Sequence, residues 1–183
     1  DIEHIRQPVD LAVIATPARS VPDIIRRCGE AGVRVAVILS AGFGESGDAG
    51  VLLEKEILEH ARLYDMRIVG PNCLGILRPQ SGLNASFSNS NVLPGRMAFV
   101  SQSGALCTAI LDWAQSSAIG FSAIVSLGDA VDGPHLRVEV GLQRTQGGAI
   151  AFDERAVFGP ARQRLEAEGA AAGVEIGDER AID

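Results

Sequence analysis

Three short apolar runs separated by helix-length segments constrain this chain more than any other feature. Residues 10–16 (DLAVIAT), 34–39 (RVAVIL) and 66–69 (MRIV) are nearly continuous in apolar character. Runs of that length, without polar alternation, are the pattern of strands buried on both faces of a parallel sheet. Between the first two, Ser20 precedes Val21 and Pro22, an N-terminal helix signal in which Ser caps and Pro sits in the first turn. That helix is expected to run to Ala31 and to end at Gly32. A longer helix is expected over residues 51–64, where Leu52, Leu53, Ile57, Leu58 and Ala61 recur at helical spacing. The order βαβαβ implies right-handed crossovers and a doubly wound sheet with helices on both faces, half of a Rossmann-like domain.

The periodicity then lapses. Residues 70–94 are rich in Gly, Pro, Asn and Ser, with Leu77, Leu83 and Phe87 as apolar anchors, and read as a long functional or interdomain connection. A strand resumes at 96–100, the sequence Ser101-Gln102-Ser103-Gly104 leads into a helix at 105–115, and 121–127 is a further strand. A second α/β unit therefore begins near Pro94. Beyond Asp132 the chain becomes polar and rich in Arg, Glu and Ala, with one candidate helix over 160–171. The abrupt loss of periodicity at Gly133 is expected of a frame-shifted or truncated reading frame.

Composition narrows the function. The 183 residues carry a formal net charge of −7 with no cluster of Lys or Arg, so the electrostatic footprint for a nucleic-acid backbone or an anionic membrane is missing. Aromatic residues are 4% while glycines number 21, which suits aliphatic strands and close backbone packing. Cys28, Cys73 and Cys107 are an odd set without CxxC spacing, which argues against disulfides and zinc and for a reducing cytoplasm. The first residues carry no basic segment followed by an apolar stretch, and no run reaches membrane-spanning length, so a soluble, unprocessed protein is expected.

In open α/β sheets ligands bind beyond the carboxyl ends of the strands, so the loops after Thr16, Leu39, Val69, Val100 and Leu127 are the candidate site. Each is small or turn-forming, which lets a ligand approach backbone N–H groups. Ser103 and Gly104 open a helix, where free amides and the positive end of the dipole suit an anion, although an ordinary Ser cap reads the same way. Asn72 can brace the Gly70–Gly75 turn. Cys73 has no cationic sequence neighbour to activate its thiol, which argues against a nucleophile. Asp129 and Asp132 offer either a carboxylate pair or the turn chemistry usual for Gly-Asp after a strand. His4, His60 and His135 lack metal-ligand spacing. A GxGxxG fingerprint is absent, which disfavours NAD.

The series DLAVIATP, ILSAGFGE, RIVGPNCLG, GLNASF, GRMAFVSQSGAL and GFSAIVSLGDAVD resembles the α subunit of succinyl-CoA synthetase, and more closely the NDP-forming acetyl-CoA synthetases. The resemblance runs from about Val9 to Asp132. It implies an incomplete CoA-binding Rossmann-like domain at 1–94, the start of a flavodoxin-like ligase domain at 95–132, and a divergent tail at 133–183. It further implies that Thr16, Pro17 and Ala18, together with Leu39, Ser40 and Ala41, line a CoA site. Asn72 and Cys73 fall near the thiol end of CoA, and Ser103 and Gly104 start the helix that receives a phosphorylated histidine.

The reaction implied is formation of acyl-CoA from an acid, CoA and a nucleoside triphosphate, through an acyl phosphate and a phosphohistidine. The family's first strand with its glycine loop is expected upstream of Asp1. The histidine and the nucleotide-grasp domain that binds ATP or ADP with Mg are expected downstream or on a β-type partner, so no catalytic residue is assigned and the chain alone is expected to be inactive. Self-association through an exposed sheet edge is a further expectation. The alternatives are a CoA-sensing regulatory module of the kind fused to protein acetyltransferases, and a vestigial α/β protein without cofactor.

Overall fold

The computed structural model describes residues 2–89 and 92–132. Strands β1 (Leu11–Ile14), β2 (Val35–Ile38) and β3 (Arg67–Val69) form a parallel sheet in the order β1-β2-β3. Helix α1 (Val21–Glu30) links the first two strands and α2 (Asp48–Leu63) the second and third. β2 is buried along its whole length, as a continuous apolar run requires. On α1, Val21, Ile25 and Cys28 are buried at helical spacing, and the helix ends beside Gly32, whose φ of +82° is left-handed backbone that favours glycine. Ser20 does not cap this helix with its side chain: its hydroxyl donates to the Pro17 carbonyl at 2.7 Å, which leaves it turned into the preceding turn.

Both helices lie side by side on one face, not on two. Val21, Ile25, Cys28, Ile57 and Ala61 pack there with Ile14, Ala36, Ile38 and Ile68. The reason is topological: strands added in one direction through right-handed crossovers send every helix to the same side. Gly29 of α1 meets Tyr64 so closely that an added Cβ would fall 2.2 Å from the ring, which lets the helices approach at their C-terminal ends.

The opposite face is covered by a second sheet of mixed direction, in the order β5-β4-β7-β6. It contains β4 (Gly75–Arg78), β5 (Leu83–Ser86), β6 (Pro94–Ser101) and β7 (Phe121–Ser126). β6 and β7 are parallel, while β4 runs antiparallel to both β5 and β7. Val37 and Val69 from the first sheet, Cys73 from the turn after β3, and Ile76 and Val125 from the second sheet form a buried cluster between the sheets. Each fully buried aliphatic side chain there contributes about 1.5–3 kcal/mol. Helix α3 (Gly104–Ser116) covers the far face of the second sheet through Cys107, Leu111 and Ala114. The result is four layers: two helices, two sheets and one helix.

The β4–β5 hairpin replaces the long irregular connection expected over residues 70–94. Its signal is short: in β5 Ala85 is buried while Asn84 is exposed, a two-residue period over only four positions. The expected division at Pro94 falls inside this second sheet, between β5 and β6. The candidate helix at 160–171, the tail at 133–183 and His135 lie outside the described residues.

Candidate site at the carboxyl ends of the strands

The loops after β1, β2, β3, β6 and β7 are tied to one another by short hydrogen bonds. The Ser40 hydroxyl donates to the Thr16 carbonyl at 2.5 Å, and the Asn72 amide N–H donates to the Ser40 carbonyl at 2.9 Å. The Leu127 N–H donates to the Ser101 carbonyl at 2.8 Å, and the Asp129 N–H to the Pro71 carbonyl at 3.0 Å. Gly128 makes the last contact feasible. Its φ is +57°, and an added Cβ would lie 2.1 Å from the Pro71 oxygen.

Between these loops lies a cleft of about 440 Å³ lined by Leu39, Asn72, Cys73, Ser103, Gly104 and Asp129 among others. Six residues that the sequence singled out, Leu39, Asn72, Cys73, Ser103, Gly104 and Asp129, are therefore neighbours in space. Thr16, Pro17, Ala18, Ser40 and Ala41 are not on its lining; Thr16 and Ser40 are linked to it through Asn72, by the bonds above. Sequence reasoning overlooked Leu74, Phe87, Gln102, Ala105, Thr108 and Gly128 as lining residues. Gln102 sits inside the Ser-Gln-Ser-Gly segment and could have been inferred from it, whereas Phe87, 64% exposed, reaches the cleft only because the hairpin carries it there.

At one end of the cleft stands the first turn of α3. The Ser103 hydroxyl oxygen accepts from the Leu106 N–H at 3.2 Å and so caps the helix. Gly104 and Ala105, next in that turn, line the cleft. A Cβ on Gly104 would meet nothing nearer than 3.7 Å, so packing within the chain does not demand glycine there. The amides of a helix's first turn and the positive end of its dipole favour an anion.

At the other end the electrostatics are different. The buried Cys73 thiol faces the Ile38 carbonyl oxygen at 3.3 Å, and burial pushes it up to about 12, so it is no nucleophile near neutral pH. Burial also raises Cys28 and Cys107. Burial raises the Asp129 carboxyl too, and the Glu45 and Glu54 carboxylates add to this against the Asn72 amide, which donates to Asp129 at 3.4 Å. For Glu45, burial acts upward, but the amides of Gly42, Glu45 and Phe43 and the Asp129 carboxyl outweigh it and hold the group below its usual range.

Asp129 and Asp132 are not a working pair. Asp132 turns away from the cleft, where its Oδ2 accepts from Arg67 Nε at 2.8 Å and from the Ile68 N–H at 3.2 Å. Among the described residues no group of three His, Cys, Asp or Glu side chains is arranged to hold a metal ion, and no helix is long and apolar enough to cross a membrane.

Most of the described chain is similar to known proteins. Residues 1–79 match the model of a CoA binding domain, and residues 94–136 match that of the succinyl-CoA ligase like flavodoxin domain. The α subunit of acetate–CoA ligase [ADP-forming] I from Pyrococcus furiosus is 47% identical over 129 residues, 70% of this chain and 28% of that one. Acetate–CoA ligase [ADP-forming] I from Archaeoglobus fulgidus is 46% identical over 125 residues, 68% of this chain and 18% of that one. Among solved structures, the dinucleotide forming acetyl-coenzyme A synthetase 1 of Ca. Korarchaeum cryptofilum, in complex with phosphate and ADP, superposes with a TM-score of 0.68 at 41% identity. That match covers 72% of this chain and 28% of the other. The chain thus spans less than a third of the length of each of these relatives.

Proposed function

This chain belongs to the CoA-binding, α-type region of the NDP-forming acyl-CoA synthetases, and we propose on that premise that it binds CoA as part of an acetate–CoA ligase. The observation that carries the reading is the cleft itself, in which the Asn72–Cys73 turn and the first turn of α3 face one volume of about 440 Å³. That is the size of an ordinary small-molecule pocket, with a polar anion-attracting end and a thiol-bearing turn.

In this reading the loops at 16–18 and 39–41, of which only Leu39 lines the cleft, hold the part of CoA that extends beyond it, and Asn72 positions the thiol end within it. Ser103 and Gly104 receive a phosphoryl group through helix amides. The thiol of CoA attacks an acyl phosphate: the C–S bond forms, the C–O bond to phosphate breaks, the thiol proton passes to the departing phosphate, and hydrogen phosphate leaves toward the α3 end. Fixed amide donors at that end stabilise the leaving charge without reorganising. Cys73, held protonated by burial, does not compete with CoA as nucleophile. The functional division is placed at Pro94, with 1–94 serving CoA and 95–132 serving the phosphoryl group, a division supported by the separate family matches at 1–79 and 94–136.

The phosphohistidine, and a nucleotide-grasp unit binding ATP or ADP with Mg, are assigned to segments or partners beyond this stretch. A β-type partner is the natural source, given that the Pyrococcus furiosus relative is itself an α subunit. Three free, buried cysteines suit a cytoplasmic setting. The test is calorimetric titration of the folded chain with CoA, with dephospho-CoA and NAD as controls. Saturable binding of CoA with weaker binding of the controls is expected; a cooperatively melting chain that takes up no CoA would overturn the reading.

A further inference from the structure

The three-stranded sheet has two edges, and the chain treats them differently. β1 pairs only with β2 among the described strands. The outer edge of β3 is instead followed by residues 127–132, which return from the second sheet. The Asp132 carboxylate accepts the Ile68 N–H, the Val131 N–H donates to the Gly70 carbonyl at 3.3 Å, and the Asp129 N–H donates to the Pro71 carbonyl at 3.0 Å. Asp132 also holds Arg67 in an ion pair whose side chains are only 18% and 15% exposed, so water screens it weakly. Asp132 is not on the cleft lining, yet it, Val131 and Asp129 each bond to residues 67–72, the segment that carries the Asn72 turn.

We infer that Asp132 is a positioning residue: with Arg67 it anchors a strap that fixes the Asn72–Cys73 turn, and through that turn the geometry of the cleft. The chain of contacts is continuous. Asp132 holds β3 at Ile68; the strap holds Gly70 and Pro71; Asn72 then bonds both to Asp129 and to Ser40, and Ser40 bonds to Thr16. An Asp is suited to the task because one carboxylate satisfies a guanidinium and an edge-strand amide together, which a neutral amide side chain does less strongly. Without that anchor, the loops after β1, β2 and β3 keep their sequence but lose their common register at the cleft. The inference rests on the CoA reading for the ligand, while the strap itself can be tested without one.

The experiment compares the full chain with its Asp132→Asn and Asp132→Ala variants by residue-resolved amide hydrogen exchange and by CoA titration. Ile25→Val, a buried change on α1 remote from the cleft, serves as the control for general destabilisation. Exchange should quicken at Asn72, Asp129 and Val131 in both variants, more in the Ala variant, while Val35, bonded to the Asp10 carbonyl at the far end of the β1–β2 ladder, remains slow. CoA affinity should fall about tenfold in Asp132→Ala, less in Asp132→Asn, and stay unchanged in Ile25→Val. Exchange that is unaltered, or raised evenly across both sheets, overturns the strap. Unaltered CoA affinity in both Asp132 variants overturns its coupling to the cleft. Failure of the parent chain to bind CoA refutes the ligand reading and leaves the exchange result to decide the strap.

Discussion

The Asn72 amide donates to the Ser40 carbonyl oxygen at 2.9 Å, joining the turn after β3 to the loop after β2 across 32 positions of sequence. This bond sets the spacing of the two loops beside the cleft, whose lining includes Leu39 and Asn72. The loops are small because their main chains must approach one another, and the consequences of enlarging them differ from one glycine to the next.

Gly104→Ala should leave the fold intact. The added methyl meets only ordinary contacts, and alanine in the first turn of a helix is at least as favourable as glycine, by about 0.4–1 kcal/mol where the backbone is compatible. If α3 receives a phosphoryl group through its first amides, the methyl stands where the ligand must come. Binding of inorganic phosphate or CoA should weaken several-fold while the melting temperature holds or rises. A variant that binds as tightly as the parent would remove the α3 end from the site.

Gly128→Ala should behave in the opposite way. Its left-handed backbone disfavours any side chain, and the methyl would fall 2.1 Å from the Pro71 oxygen, a backbone atom that cannot rotate aside. Strain and forced displacement together should cost about 2–4 kcal/mol, read as a lower urea midpoint with little change in slope. A midpoint equal to that of the parent would show that the strap does not need the close approach.

Cys73 should make stability fall at alkaline pH. Its thiol sits near 9.0 when free and is pushed up to about 12 in the fold by burial. The unfolded chain therefore loses this proton first, so the native state is favoured fully below pH 9 and progressively less as pH rises from 9 toward 12. Urea unfolding under reducing conditions at pH 8, 9.5 and 10.5 should show the parent losing more stability than Cys73→Ala over the same interval. Equal losses would mean that the thiol is not protected. All three buried cysteines should likewise react slowly with a thiol reagent at pH 8 until the chain is unfolded.

Much of this was legible locally. The apolar runs at 10–16, 34–39 and 66–69 contain β1, β2 and β3, and α1 starts at Val21 beside Pro22 as its sequence suggests. α2 begins three residues before the expected Val51, since Gly47 is its N-cap and Asp48, Ala49 and Gly50 open its first turn without a large apolar marker. Leu52, read as part of its buried face, is 66% exposed, because the face that meets the sheet is set by Ile57 and Ala61. The hairpin was not legible, as β4 and β5 are four residues each and β4 pairs with β7, its partners Ile76–Val125 and Leu77–Ile124 lying 49 and 47 positions apart.

What the sequence determined by itself is the alternation of short strands and helices, and the small residues at the strand ends. Both follow from local forces: the burial pattern along a few residues and the steric freedom of the backbone. Tertiary structure alone decided that both helices share one face, that a second sheet covers the other, and that Asp129 turns to Asn72 while Asp132 turns to Arg67. Those outcomes depend on which surfaces meet after the chain closes loops of tens of residues. Partners separated by 57 and 65 positions leave no mark in the spacing of either residue's neighbours.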